Sequence, residues 1–187
     1  MQIRKIHDGG VLVLTPERLF RDYRGFFLEA HRESDMQRAI GAIGGPLRFV
    51  QSNVSRSVPF VLRGMHYQVG PQQGKLMRCV QGKIYQVSVD VRRSSKQFGT
   101  WSSVILDDVT NEAVWVPPGF ANGFFVFEYG ATVQYEMTAY HDAALERSLA
   151  WDDPEVGIKW PMKEGAQVIL SQKDREAPRL AQIERWS

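Results

Sequence analysis

Hydrophobic positions in this chain alternate with polar ones over short spans, which is the period of strands rather than helices. Val11–Thr15 reads as a strand that Pro16 stops. Leu19–Arg32 holds a turn near Arg24-Gly25, then a strand whose Phe27 and Glu29 share one face. Ser34–Ile40 is the best helix candidate, with Ser34 as cap and Gln37 at the capping-box position; Gly41, Gly44, Gly45 and Pro46 close it. Leu47–Val54 resumes as a strand. Its Gln51 and Asn53 alternate onto one face, and the pattern alone turns that face to solvent rather than into a pocket.

The middle of the chain is dense in strands. Leu76–Val80 and Lys83–Asp90 flank a turn at Gln81-Gly82, and Tyr85, Val87 and Val89 give the second of these an apolar face. Phe98–Leu106 and Ala113–Val116 follow. Gly123–Phe127 and Ala131–Thr138 flank Tyr129-Gly130 and read as another hairpin. Many short strands and no βαβ rhythm predict an antiparallel sandwich or barrel with few helices. From about Ala143 the pattern is less regular, and Trp151, Pro154, Trp160 and Pro161 suit a segment packed over a barrel's outer face.

Composition narrows the function classes. The 187 residues fit one domain, here taken as 1–187, and 43% hydrophobic content supplies a sizeable core. A net charge of +2 does not point to nucleic acid or an acidic membrane as a partner. The single cysteine, Cys79, excludes an intrachain disulfide and a Cys-rich metal site. No apolar run is long enough to span a bilayer, and Met1–Lys5 lacks a signal peptide's apolar segment, so a cytoplasmic protein is expected.

The chemistry-bearing stretch is Val61–Cys79. It places Arg63, His66 and Lys75 on two arms separated by Gly-Pro-Gln-Gln-Gly. If the arms pair antiparallel, the turn folds Lys75 back toward His66. An imidazole, an ammonium and an arginine together suit an anionic substrate that must lose a proton, although an ordinary hairpin with a surface His and Lys fits equally well. Pro117–Asn122 is similar to the second motif of jelly-roll cupins, but Asn122 stands where a metal-binding His is usual. The first cupin motif normally supplies two His and a Glu, and here only His66 is present. The expectation is a cupin-like jelly-roll β-barrel with no catalytic metal.

R-G-F-F-L-E, R-G-M-H-Y-Q, Q-G-K-L-M-R-C-V-Q-G, V-D-V-R-R-S-S-K-Q-F-G-T-W, P-P-G-F-A-N-G-F and L-S-Q-K-D, in this order, resemble the dTDP-4-dehydrorhamnose 3,5-epimerase family over about residues 3 to 180. The resemblance implies a jelly-roll barrel, a homodimer whose N-terminal strands cross the interface, no cofactor, and a nucleotide-diphosphate sugar substrate of the 4-keto-6-deoxy class. The C4 ketone acidifies the protons on C3 and C5, so a base, an enolate stabiliser and an opposed acid suffice. By match to the family's motifs His66 is the base, Asp174 its orienting carboxylate, Lys75 the group near the enolate oxygen, and Tyr135 the acid. The match also assigns Arg24 and Arg63 to diphosphate or sugar, Phe27 and Glu29 to the nucleobase, and Gln51 and Asn53 to the sugar side. Glu146 and Lys173 match two further ligand contacts.

The chain departs from the pattern around the ligand. Asn122 replaces a His, Ser52 an Asp, Val54 a His and Glu136 a Lys, while His141, after Tyr140, replaces a Tyr in the base-stacking neighbourhood. Proton abstraction is left intact, but the substrate is put in question. A mono-epimerase for C3 or C5, or an epimerase of a CDP- or GDP-linked keto sugar, fits as a near alternative. A ketoisomerase and a catalytically silent sugar-binding cupin are the more distant readings.

Overall fold

The computed structural model describes residues 1–41, 47–70, 73–162 and 167–186. Its strands are β1 (Gln2–Lys5), β2 (Leu12–Thr15), β3 (Leu19–Asp22), β4 (Gly25–Leu28), β5 (Gln51–Ser57), β6 (Leu62–Gln68), β7 (Lys75–Asp90), β8 (Trp101–Asp107), β9 (Ala113–Val116), β10 (Phe120–Met137) and β11 (Glu146–Ser148). Two short helices, α1 (Glu33–Met36) and α2 (Gln172–Arg175), join them.

The 16-residue β7 and the 18-residue β10 pair antiparallel along their lengths and organise the rest. The first part of β7 also pairs with β9, and its second part with β8. The first part of β10 pairs with β6, and its second part with β5. The two long strands therefore pass from one sheet into the other. One sheet runs β1-β2-β9-β7-β10-β5 and the other β8-β7-β10-β6-β11. This is the expected all-β jelly-roll barrel.

The expected turns at Gln81-Gly82 and Tyr129-Gly130 are not turns. Both lie inside continuous strands, at the place where the β7–β10 register shifts. Gly82 and Gly130 have φ of 81° and 76°, and a Cβ on Gly82 would stand 2.1 Å from the Gly130 carbonyl oxygen. Glycine here bends a long strand across a bulge instead of reversing the chain, a use its local sequence does not distinguish from a hairpin.

Burial follows the alternation, but on both faces of β7. Between the sheets lies a core of Val13, Met77, Cys79, Ile84, Leu106, Val114, Phe124 and Val133. Gln86 and Ser88, the polar alternates of β7, are 0% exposed and face this interior rather than water. Outside, Leu149, Val156, Leu180 and Ile183 of the C-terminal segment pack with Val87 and Val89. Met36, Ala39 and Ile40 cover Leu12, Leu76 and Trp115 of the other sheet.

Helix α1 begins one residue before the expected span, and Ser34 does not cap it. Arg32 holds the cap position without a side-chain bond, and Gln37–Gly41 continue as a π-helical turn. The Gln37 side chain instead accepts from the Leu47 backbone N–H at 2.8 Å. Gly44, Gly45 and Pro46, expected to close the helix, lie outside the described residues. The next strand starts at Gln51, not Leu47. The β3–β4 hairpin forms a two-stranded sheet of its own. Its Phe20, Phe26 and Phe27 are 60%, 46% and 64% exposed.

Gly82→Ala adds a methyl group to a positive-φ site against backbone. It is expected to lower unfolding stability by at least about 2 kcal/mol, read as a fall in urea midpoint. An unchanged midpoint would mean that the two strands do not approach so closely.

Candidate active site

The interior of the barrel opens into a cavity of about 540 Å³. Three strands build one wall in cross-strand ranks. Gln51, Met137 and Lys75 lie side by side across β5, β10 and β7, and Asn53, Tyr135 and Met77 form the next rank. Side chains in register share a face, so all of these point one way. The other wall comes from β6, where His66 is opposite Asn122 of β10. His66 thus stands in one sheet and Tyr135 in the other.

His66 and Lys75 do not meet through a hairpin. β6 and β7 are not neighbours, because β10 lies between them, and Pro71 and Gln72 of the expected turn lie outside the described residues. What allows β10 to insert next to His66 is a second pair of glycines. Gly64 has φ of 127°, and a Cβ on it would stand 2.5 Å from the Gly123 Cα. The R-G-M-H glycine is therefore required by close backbone approach, two residues before the imidazole.

Asp174 reaches His66 from the far end of the chain. Ser171 caps α2, its hydroxyl accepting from the Asp174 N–H at 3.1 Å. The Asp174 carboxylate lies 2.6 Å from His66 Nε2, with side-chain exposures of 4% and 26%. Burial works against the charged carboxylate, but the His66 hydrogen bond and charge, the Ser171 hydroxyl and the Gly64 N–H outweigh it and hold Asp174 below its ordinary range. In the neutral ring, with Nε2–H donating to Asp174, the lone pair sits on Nδ1.

Lys75 Nζ donates to Asn122 Oδ1 at 3.0 Å, and the Asn122 amide donates to Met77 Sδ at 2.9 Å. Burial, with a smaller push from Lys173, brings the Lys75 ammonium down to about 8 against the pull of Glu146. Glu146 is held below its usual range: burial opposes this, and Lys173, His66 and His141 overcome it. Its carboxylate lies 2.5 Å from Lys173 Nζ and 3.5 Å from His141 Nε2. The His141 N–H in turn donates to Gln51 Oε1 at 2.9 Å. Gln51 and Asn53 are thus turned into the cavity, against the solvent-facing reading of their pattern.

Of the predicted residues, the cavity gathers Gln51, Asn53, Arg63, His66, Lys75, Asn122, Tyr135, His141, Glu146 and Asp174. It does not gather five others. Tyr140 is 71% exposed and contributes only its carbonyl, to Gln68 and Gln73. Lys173 lines a neighbouring groove and reaches the cavity through Glu146. Arg24 is paired with Asp22 at the hairpin turn, Phe27 stacks on Phe20, and Glu29 lies just past β4 between Arg18 and Arg32. The cavity also includes Gln73, Met77, Phe124, Met137 and Ser171. Met77 and Met137 follow by two-residue alternation from Lys75 and Tyr135, a signal present in the sequence. Among the described residues no group of three or more His, Cys, Asp or Glu side chains is placed to hold a metal ion. No helix among them is long and apolar enough to cross a membrane.

Comparison with known proteins now decides the kinship. The family model described as dTDP-4-dehydrorhamnose 3,5-epimerase matches residues 6–182. The chain belongs to the dTDP-4-dehydrorhamnose 3,5-epimerase family. As a member of that family it is an isomerase, an epimerase. It is 40% identical over 170 residues to the dTDP-4-dehydrorhamnose 3,5-epimerase of Pseudomonas aeruginosa, covering 91% of each chain. It is 38% identical over 183 residues to the dTDP-4-dehydrorhamnose 3-epimerase of Streptomyces niveus, covering 97% of this chain and 85% of that one. Among solved structures, the Legionella pneumophila dTDP-6-deoxy-D-glucose-3,5-epimerase in complex with dTDP-4-keto-L-rhamnose superposes with a TM-score of 0.90 at 38% identity, over 98% of this chain and 94% of that one.

The depressed Asp174 carboxyl fixes a sign. Its stabilising contribution is complete above the unfolded carboxyl range of about 4 and is lost as pH falls through the lower folded value. Asp174→Asn should therefore flatten the acid limb of stability against pH, measured by thermal melts. A limb of wild-type steepness in Asp174→Asn would mean that another carboxylate sets it.

Proposed function

We propose that this chain inverts C3, C5 or both of a dTDP-linked 4-keto-6-deoxy sugar through an enolate, without a cofactor. The observation that carries the reading is the placement of the His66–Asp174 pair and of Tyr135 on opposite sheets of one cavity, with Lys75 on the Tyr135 wall reaching across to Asn122 beside His66. His66 Nδ1 takes the proton α to the ketone. Asp174 holds the ring and stabilises the imidazolium. Electron density moves onto O4, where the Lys75 ammonium and the Asn122 amide receive it. Tyr135 returns a proton to the opposite face, which inverts the carbon. Gln51, Asn53, Arg63, His141 and Glu146 face the sugar and diphosphate, and Lys173 acts with Glu146.

The proposed assembly is a cytoplasmic homodimer of single-domain subunits. The exposed β3–β4 arm supports it, because Arg24 and the aromatic Phe27 lie outside their own cavity and gain a role in a partner's, against the nucleobase. Glu29 sits at the root of that arm, and Tyr140 at the cavity rim.

The deciding experiment is incubation with dTDP-4-keto-6-deoxyglucose in D₂O, with deuterium read by NMR. Label at C3 and C5, with the L-sugar trapped by a reductase, is expected for double inversion; label at one carbon identifies a mono-epimerase. No label would sink the reading for this nucleotide. His66→Ala should lower kcat by about 10³-fold or more, and Tyr135→Phe should slow inversion while leaving exchange at the abstraction step. Full inversion rates in Tyr135→Phe would remove it as the acid.

Lys75 adds a pH dependence. Its ammonium is lost as pH rises through about 8, so kcat/KM should fall on that alkaline side, while Lys75→Arg should carry the plateau to higher pH. An alkaline limb unmoved in Lys75→Arg would assign it to another group.

A further inference from the structure

Tyr135 and Glu136 are neighbours on β10, so they face opposite sides of the sheet. Tyr135 points into the cavity and packs on the inner core. Glu136 points outward, where its carboxylate lies 2.7 Å from His31 Nδ1. Phe49 sets its edge against the His31 ring at 5.3 Å and is itself braced on Trp115 at 6.2 Å. On the same outer face, Arg78 lies opposite Gln134 and is 7% exposed. It donates to the Ala30 carbonyl at 3.2 Å and also to the Asn111 carbonyl. Among the described residues no carboxylate forms an ion pair with this buried guanidinium. A buried cation bound to backbone carbonyls is costly to desolvate, and what it fixes here is the path of the chain leaving the β3–β4 arm.

We propose that His31, Glu136 and Arg78 form a clasp that aims the β3–β4 arm, and are positioning residues for substrate binding in the neighbouring subunit. The proposal rests on the reading above that the arm serves a partner's cavity. The base of the arm is closed by the Glu29 N–H on the Arg18 carbonyl at 3.2 Å, and Arg18 is itself tied to Asp35. Beyond that base Arg21 touches the Val109 carbonyl, while Tyr23 at the turn is 97% exposed. An arm of four residues per strand reaches about 13 Å, so a tilt of about 10° at its base moves the tip by about 2 Å. Misplacement on that scale is enough to lose binding energy. The clasp grips both the segment that follows the arm and the strand that carries the proposed acid.

The test uses the full chain and steady-state kinetics on dTDP-4-keto-6-deoxyglucose. Glu136→Ala and His31→Phe should each raise KM about tenfold with kcat within about twofold, the mark of lost uniform binding. Glu136→Gln keeps an acceptor for His31 and should restore most of the affinity. The double variant should lose no more than either single one. Wild-type KM in both single variants would overturn the clasp, and so would a fall in kcat at unchanged KM, which would place the effect on Tyr135 instead. The arm reading is tested separately with mixed dimers. Arg24→Ala/Phe27→Ala chains are combined with Tyr135→Phe chains, and activity above either parent shows arms serving across subunits. Failure of that complementation removes the arm reading and the clasp with it. Complementation alongside unchanged KM in the single variants removes the clasp alone.

Discussion

The pairing of β7 with β10 governs the geometry of the whole molecule. Each strand is long enough to belong to both sheets, and each bends where the other does, because Gly82 and Gly130 are in contact at the crossing. Any side chain at Gly82 would force the backbones apart and with them the two sheets. The bend also determines which residues share the interior. It sets Lys75 within hydrogen-bond reach of Asn122, although the two lie 47 positions apart, and puts Tyr135 and His66 on facing walls. The geometry of the cavity and the closure of the barrel are consequences of the same contact.

The electrostatics of the cavity are arranged for an anion. Its two carboxylates are both engaged, Asp174 by His66 and Glu146 by Lys173, so neither presents an unpaired negative charge to a diphosphate. Arg63 stays exposed at the rim, donating only to the Ser57 hydroxyl and the Arg56 carbonyl. Lys75 is the contrasting case, a half-buried cation whose neighbour is a neutral amide. That pairing keeps the ammonium directed inward, while burial leaves it easier to deprotonate than a surface lysine.

Much of this was legible in the sequence, and the failures share a cause. Alternation gave the strand content, and the ordered motifs gave His66, Lys75, Tyr135 and Asp174, all of which the fold brings to one cavity. Local pattern could not tell a glycine that reverses a chain from one that bends a strand, so two continuous strands were read as two hairpins. Nor could it give strand order, because β10 enters between β6 and β7 from about fifty residues away. Gln51 and Asn53 read as a solvent-facing pair because polar alternates carry no mark of the sheet that will cover them. Ser34 does not cap α1 because the chain enters it from an extended Arg32, and Met36 and Ile40 hold the Glu33–Gly41 segment down instead. Arg24 and Phe27 sit on an exposed arm that the fold leaves outside the cavity.

The His66–Asp174 pair joins residues 108 positions apart, and its carboxylate arrives on α2, which follows β11, the last of the described strands. During synthesis every one of those strands leaves the ribosome before α2 does. A nascent chain can therefore close its barrel while the imidazole still lacks its partner, and the pair completes only when the C-terminal segment docks. The order of synthesis thus separates the two partners, and makes docking of α2, rather than closure of the barrel, the step that supplies the imidazole with its carboxylate.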